Sequence, residues 1–474
     1  MLTTNNMKVD VPGQVAKIIS AFEKKDFEIY IVGGAIRDIL MGKIVYDWDF
    51  TTNAVPEQIL TLFENAYYDN KFGTVGIPNE IEGERPYEIT TFRTEHGYSD
   101  SRRPDKVLWG KTLTDDLKRR DFTINAMALK IEQESKRVKE YKKKTAQALA
   151  LSRTFTLIDL YDGQKDLENK LIRAVGNPVE RFTEDSLRMM RAVRIATEIR
   201  FQIEEHTLFA IKELSDSIRK ITAERVRDEL LKIMKSPYAH EGVMLLQKTK
   251  LMEQIIPEFE KAFDIQQKSP RRHHVYDVGT HSLMSLKFAP TEDPVTKLAI
   301  LIHDLGKVST YKKLNSGIIT FYNHEVVSTY IAKKLAKRIK LSKKQSEKLE
   351  KLVRWHQFSV NENQTDTAVR RFITNVGLEN VSDMLALRTA DRLGGGASET
   401  SWRLEDFKRK IKLVQKQPFK VTDLKINGVT VMKKLNLKPG PKVGEALKKL
   451  FDLVVAKEIK NNPDELIEAL LKLK

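Results

Sequence analysis

Apolar residues recur at helical spacing over residues 15–22, then run unbroken through Ile29-Tyr30-Ile31-Val32 and stop at Gly33-Gly34. This pattern predicts an amphipathic helix, a short buried strand and a second helix over 35–41. A further strand is expected at 46–51. The turn Asn53-Ala54-Val55-Pro56 then opens another helix, with Pro at its first turn and Glu57 behind it. Alternation over 87–92 predicts one more strand. The polar, glycine-containing and basic stretch 96–111 reads as a mobile loop, and the lysine-rich run 136–145 as a solvated insert. Beyond Asp159 the two-residue alternation fades and helical periodicity takes over, at 188–201, 208–214, 223–234 and 242–248. Lys268-Ser269-Pro270-Arg271-Arg272 is a basic linker into a histidine-bearing helical region, and Pro439-Gly440-Pro441 turns a basic helical tail. The expected class is α+β: a mixed-sheet head with helices, followed by an extended all-α body. Boundaries are expected at 1–158 (head), 159–266 (helical neck), 267–400 (histidine-bearing domain) and 401–474 (tail). No internal repeat is evident.

Composition narrows the function. A chain of 474 residues is too long for one hydrophobic core. Lys and Arg total 82 against 65 Asp and Glu, leaving +17 and favouring a polyanionic partner, nucleic acid before membrane. The excess is uneven: residues 331–360 hold ten basic and two acidic side chains. A solvated helical face accounts for such a run equally well. The absence of cysteine excludes disulfides, thiol catalysis and thiolate metal sites. The apolar run 298–302 is far short of the ~20 residues of a membrane-spanning helix. The first residues show neither a basic start nor an apolar core, so no secretory signal and a cytoplasmic location are expected.

Three motifs carry chemistry. Asp47-Trp48-Asp49, placed in a strand, would put two carboxylates on one face, where their repulsion calls for a cation; such oxygen density suits Mg²⁺ bridging to phosphates. Alone, the motif is a weak signal, common by chance and in surface turns. Its context is Gly33-Gly34 and a helix carrying Arg37 and Asp38, where backbone N–H groups and a guanidinium can approach a triphosphate. Next, in Arg119-Arg120-Asp121-Phe122-Thr123-Ile124-Asn125-Ala126, arginines followed by Asp121 and Asn125 suit phosphate and ribose hydroxyls, or form a surface ion-pair cluster. Finally, Glu184-Asp185-Ser186-Leu187-Arg188 is expected to open a helix, with Asp185 and Arg188 as neighbours and Arg191 and Arg194 extending the stripe. A carboxylate accepting from an exocyclic amine, beside a guanidinium donating to a ring nitrogen, fits cytosine and adenine. Uracil and guanine present the reverse pattern. The bland reading is an ordinary i,i+3 ion pair.

These segments, with Glu224-Arg225-Val226-Arg227, resemble the successive motifs of class II CCA-adding enzymes and bacterial poly(A) polymerases, in the family's order, over residues 25–265. Those families have a DNA polymerase beta-like nucleotidyltransferase head. The resemblance implies template-independent addition of CCA to tRNA 3′ ends from CTP and ATP with Mg²⁺ and release of pyrophosphate. By it, Asp47 and Asp49 hold Mg²⁺, with Glu88 the candidate third acid. Gly33, Gly34, Arg37, Arg120, Asp121 and Asn125 contact the nucleotide; Asp185, Arg188, Arg191 and Arg194 form the base-reading and phosphate-contacting helix. Residues 92–104 look like the flexible loop of full CCA-adding enzymes, and the tail 401–474 is expected to bind tRNA.

His281, the adjacent His303-Asp304 expected on a helix and followed by Leu305-Gly306-Lys307, and Asp391 resemble the metal ligands of an HD phosphohydrolase domain. His324 and His356 are available to a second metal or a substrate phosphate. Imidazole with carboxylate suits Mn²⁺, Ni²⁺, Co²⁺, Fe²⁺ or Zn²⁺, and the implied activity is metal-dependent phosphoester hydrolysis. The alternatives are a poly(A) polymerase or A-adding RNA nucleotidyltransferase, an HD phosphohydrolase with a vestigial transferase head, and a non-catalytic RNA-binding protein. No oligomeric state is assigned.

Overall fold

The apolar block becomes strand β2 (Ile29–Val32), buried at all four residues. The computed structural model describes residues 6–70, 73–81, 83–96, 106–110, 112–131, 152–267, 276–361, 364–415, 421–456 and 458–472. The insert 136–145, the linker 268–272 and most of the loop 92–104 lie outside the described residues. Two compact units are present. The first comprises Met1–Lys261, Glu292–Pro294 and Lys334–Ser342; the second comprises Ala262–Thr291, Val295–Lys333 and Lys343–Lys474.

In the first unit, β1 (Asn6–Asp10), β2, β3 (Asp49–Thr52), β4 (Tyr67–Asn70), β5 (Thr74–Ile77), β6 (Tyr87–Thr91), β9 (Met127–Ile131) and β10 (Ser152–Asp159) form one mixed sheet. Its order is β1-β10-β9-β2-β3-β6-β5-β4. Neighbours are antiparallel except β3 and β6, which run parallel. The helix Gly13–Glu23 buries Val15, Ile18, Ile19 and Phe22; each such side chain contributes about 1.5–3 kcal/mol relative to exposure. The expected loop over 96–111 is in part a strand: β8 (Lys106–Trp109) pairs antiparallel with β7 (Arg93–His96). Its ladder gives backbone groups partners that the polar composition did not advertise.

Helices follow the sheet, among them Pro178–Glu184, Leu187–Ile199, Glu205–Leu214, Ala223–Lys235 and Ala239–Lys248. Gly242 permits a close crossing: a Cβ there would stand 2.6 Å from Ile233 and 2.8 Å from Thr197.

Among the described residues, the regular structure of the second unit is helical apart from the short pair Lys312–Lys313 and Ile319–Thr320. All of Val295 to Ile302 is buried in the helix Pro294–Ile302, so the apolar run belongs to a core helix. Leu424, Ile426, Val431, Leu450, Leu466 and Leu470 form a separate buried cluster near the carboxyl end. Among the described residues no helix is long and apolar enough to cross a membrane.

Candidate active site

Strand β3 begins at Asp49, later than the sequence pattern implied. Val32 pairs with Asp49, and at the next residue, Gly33, the chain turns to φ +76 and enters the helix Gly34–Leu40. Asp47 therefore lies in the unpaired stretch before the strand, and the expected i,i+2 strand geometry does not hold. Both aspartates nevertheless line one cavity of about 710 Å³ with Gly34, Arg37, Asn125, Arg191 and Arg194. A side chain at Gly33 would be strained by its φ, and its Cβ would stand 3.2 Å from Asp49 Oδ2.

Parallel pairing sets Asp49 against Glu88. Burial, then the charges of Asp47 and Glu88, push the Asp49 carboxyl up to about 6, while Arg120 and Arg191 pull it partly back. Three acids with incompletely balanced charge fit a hard divalent cation bound through oxygen. Arg85, 3.4 Å from Asp47, does not supply that balance: both partners are mostly exposed, and such pairs contribute little.

Arg37 donates to Asp38 (2.9 Å) and through Nη1 to Asn125 Oδ1 (3.3 Å). Arg120 donates to Asp116 Oδ2 through Nε (3.3 Å) and Nη2 (3.0 Å). Asp116 is fully buried and also holds Arg119. The sequence reading missed it, although three and four residues is the spacing of helical ion pairs.

The base-reading pair is arranged differently from expectation. Glu184 closes one helix, Asp185 is extended (φ −141°, ψ 102°), and the next helix starts at Leu187. Because that break redirects its side chain, Asp185 does not pair with Arg188. It accepts the Leu187 N–H (3.0 Å) and a two-point contact from Arg225 (2.8 and 3.3 Å). Arg188 instead pairs with Glu184 (2.9 Å) and donates to the Arg119 carbonyl (3.0 Å). Asp185 and Arg188 are not among the residues lining the aspartate cavity, whereas Arg191, Arg194, Lys232 and Lys235 are. Arg194 is held by Glu229 (2.6 Å) and Glu198 (2.7 Å).

Asp121 joins two sides of the cavity. Its Oδ2 accepts from Arg191 (2.7 Å), and its Oδ1 from the Phe122 N–H (2.9 Å) and Asn125 (3.3 Å). Burial alone would raise its carboxyl; Arg191 and then Arg188 outweigh this and hold it down at about 2. A folded pKa below the unfolded value of ~3.9 means stability present above that pH and lost as pH falls towards 2. Asp121→Asn is therefore expected to cost roughly 2 kcal/mol at pH 7. Urea unfolding at pH 7 and pH 3 checks this: the gap between variant and wild type should narrow at the lower pH.

The second unit assembles all six residues of the histidine motif. His281, His303, Asp304 and Asp391 offer ligand atoms within 4.8 Å of one another, as do Asp304, His324 and His356. His303 and Asp304 follow the helix Pro294–Ile302 instead of lying on it; the chain tightens there, Leu305 N–H bonding the Ile302 carbonyl at 3.2 Å. His303, His324 and His356 each direct Nδ1 at the carbonyl three residues earlier, at 2.7, 2.9 and 2.7 Å. Only an N–H satisfies that contact, so each Nε2 faces the cluster and, in the neutral ring, carries the lone pair that a metal ion would take.

The two Asp304 oxygens serve different sets. Oδ2 lies 3.3 Å from His303 Nε2 and 3.6 Å from His281 Nε2; Oδ1 lies 3.2 Å from His324 Nε2 and 3.6 Å from His356 Nε2. Ligands ~2.1 Å from a common ion stand roughly 3.0–3.4 Å apart, close to this spacing. His303 Nε2 is buried without a hydrogen-bond partner among the described residues. Burial should lower the His303 pKa, yet Asp304 and then Asp391 raise it to about 10. This donor set calls for a cation, and nitrogen with oxygen fits a transition metal.

Family models match three stretches: a Poly A polymerase head domain over residues 29–173, a polymerase A RNA-binding-site model over 200–263, and tRNA nucleotidyltransferase domain 2 over 319–470. The CCA-adding enzyme of Lactobacillus helveticus is 32% identical over 461 residues, covering 96% of each chain. That of Pediococcus pentosaceus is 33% identical over 463 residues, again covering 96% of each. The fold is similar to that of the Bacillus stearothermophilus CCA-adding enzyme solved with CTP, with a TM-score of 0.67, 24% identity and coverage of 97% of this chain and 96% of that one. The Thermotoga maritima enzyme solved with tRNA matches with a TM-score of 0.56, 19% identity and coverage of 98% and 97%. A head that gathers acids, glycines and arginines in one cavity, joined to full-length relatives of one kind, places the chain among the CCA-adding enzymes, the tRNA nucleotidyltransferases that belong to the poly(A) polymerase family.

Proposed function

We infer that this protein adds C, C and A to tRNA 3′ ends from CTP and ATP, releasing pyrophosphate. One observation carries the reading: Asp47 and Asp49 share a cavity with Gly34, Arg37, Asn125, Arg191 and Arg194. Asp47, Asp49 and Glu88 would hold Mg²⁺, which when bound supplies acidity to the RNA 3′-hydroxyl and neutralises triphosphate charge. Arg37 and Arg120 bind phosphate oxygens, their directions set by Asp38 and Asp116. Arg191 and Arg194, each fixed by a carboxylate, supply further donors along the cavity wall. Asp185, oriented by Arg225, and Arg188, held by Glu184, read the base edge. In the reaction the 3′-oxygen bonds to the α-phosphorus, the bond from that phosphorus to the bridging oxygen breaks, and the hydroxyl proton passes to solvent.

The proposed organisation is a head over 1–158, a neck over 159–266, a histidine-bearing domain over 267–400 and a tRNA-binding tail over 401–474, in a cytoplasmic enzyme. Incubation with tRNA transcripts lacking the 3′ CCA and with single labelled nucleotides tests the reading. CTP should be incorporated first, ATP only after CTP, and UTP and GTP poorly. Incorporation of ATP without CTP would reject it in favour of A addition.

The histidine cluster supports a second activity, metal-dependent phosphoester hydrolysis of the HD type. Its support is the placement of six ligand side chains with their Nε2 and carboxylate atoms converging on Asp304. Lys307, 2.6 Å from Asp304 Oδ2 and 2.6 Å from Gln267, steadies that carboxylate.

A further inference from the structure

One carboxylate anchors two arginines of the site. Asp116, on the helix Leu113–Lys118, has no exposed surface. Its Oδ1 accepts from Arg119 Nε (3.1 Å) and Nη2 (2.5 Å), and its Oδ2 from Arg120 Nε (3.3 Å) and Nη2 (3.0 Å). Burial alone would raise this carboxyl; Arg119 and Arg120 together hold it below its usual value.

Arg120 Nη1 stands 3.4 Å from the point where a Gly33 side chain would begin, and Asp49 Oδ2 lies 3.2 Å from that same point. The Nη1 edge of Arg120, which also reaches the Asn125 carbonyl at 3.5 Å, therefore lies on the side of Asp49 and the start of the helix Gly34–Leu40. The Arg119 carbonyl accepts from Arg188 Nη2 at 3.0 Å, and the preceding carbonyl, of Lys118, accepts from Arg181 at 3.3 Å. Asp116 thus fixes a guanidinium on the phosphate side and the backbone turn that holds an arginine on the base side.

Stability is a poor explanation for such an arrangement. Burying an ionised carboxylate is costly even when paired, and apolar replacements of buried ion networks are often neutral or stabilising. A site that needs two guanidinium groups in fixed directions does explain it.

We propose that Asp116 is a positioning residue for nucleotide selection, aligning Arg120 with the triphosphate and, through Arg119, Arg188 with the base. This rests on the assignment of Arg120 and Arg188 to the nucleotide made above.

The test uses Asp116→Asn, Asp116→Glu and Arg120→Ala with CCA-less tRNA. It measures KM for CTP and ATP, KM for tRNA, the ratio of CTP to UTP incorporation, and thermal unfolding. Asp116→Asn should raise both nucleotide KM values about tenfold and lower the CTP/UTP ratio by a similar factor, as loss of a charge-assisted contact implies. The KM for tRNA should not move, and Asp116→Glu, which keeps the charge, should recover part of the loss. A folded Asp116→Asn with wild-type nucleotide KM and selectivity overturns the proposal, as does an equal rise in the KM for tRNA. If Asp116→Asn unfolds below the assay temperature, Asp116→Glu decides by the same readouts, and unchanged nucleotide KM and selectivity overturn the proposal. Wild-type nucleotide KM in Arg120→Ala would instead overturn the underlying assignment of Arg120.

Discussion

Replacing Asp49 with Asn should lower CTP incorporation by about a thousandfold or more, because a bound ion stabilises the transition state by several kcal/mol. The fold should not suffer. The Asp49 carboxyl is pushed up to about 6 by burial, Asp47 and Glu88, so its ionised form is disfavoured in the folded protein. A folded pKa above the unfolded value means that its stability contribution is full below about pH 4 and is lost as pH rises through 6. In the presence of a chelator the Asp49→Asn protein should therefore melt at or above the wild-type temperature at pH 7.5, and the two curves should converge at pH 4. Radiolabelled CTP incorporation and calorimetry at the two pH values are sufficient. Wild-type turnover in the variant would remove Asp49 from the metal site, and a large drop in Tm would mean that its charge stabilises the fold. Melting at or above the wild-type temperature would show activity held at the expense of stability, as expected where like charges are gathered to bind an ion.

The second large effect is expected at Asp304. Its two oxygens face two different sets of histidines, Oδ2 towards His281 and His303 and Oδ1 towards His324 and His356. Asp304→Asn should then abolish transition-metal binding at both sets, while His281→Ala should affect the first set alone. Metal analysis after loading with Mn²⁺ or Ni²⁺, followed by hydrolysis of a chromogenic phosphodiester, reads both outcomes. Hydrolysis by wild type should be lost in Asp304→Asn. Retention of metal by Asp304→Asn would show that the remaining histidines suffice and that Asp304 does not bridge. Because the carboxylate also meets Lys307, its neutral replacement leaves a buried ammonium with a weaker partner. A fall of about 3–5 kcal/mol in stability is the expected side effect, and melting curves separate it from loss of metal.

Local pattern carried far at some positions and failed at others for identifiable reasons. The strand Ile29–Val32 matches its unbroken apolar run and the helix Ala223–Lys235 its apolar period, since both patterns are properties of neighbouring residues. Asp47 has the spacing of a strand residue but lies outside the strand, because the partner ladder ends at Val32, where the chain turns at Gly33 into a helix. Asp185 and Arg188 have helical spacing, but the chain breaks between two helices at Asp185, and an arginine 40 residues away takes its carboxylate. Asp116 was passed over because an acid near two arginines looks like any surface ion pair until its complete burial is seen.

Sequence alone determined the chemical inventory: an acidic pair, a glycine turn and clustered arginines in the order of one family of RNA nucleotidyltransferases, followed by histidines with two aspartates. It also determined the alternation of sheet and helix, because those periods are written in neighbouring positions. Only the tertiary structure decided partnership, namely that Glu88 stands beside Asp49, that Arg225 holds Asp185, and that Asp304 is common to two histidine sets. Such pairings join residues tens of positions apart, and their geometry is set by how strands register and helices pack, which no local repeat records.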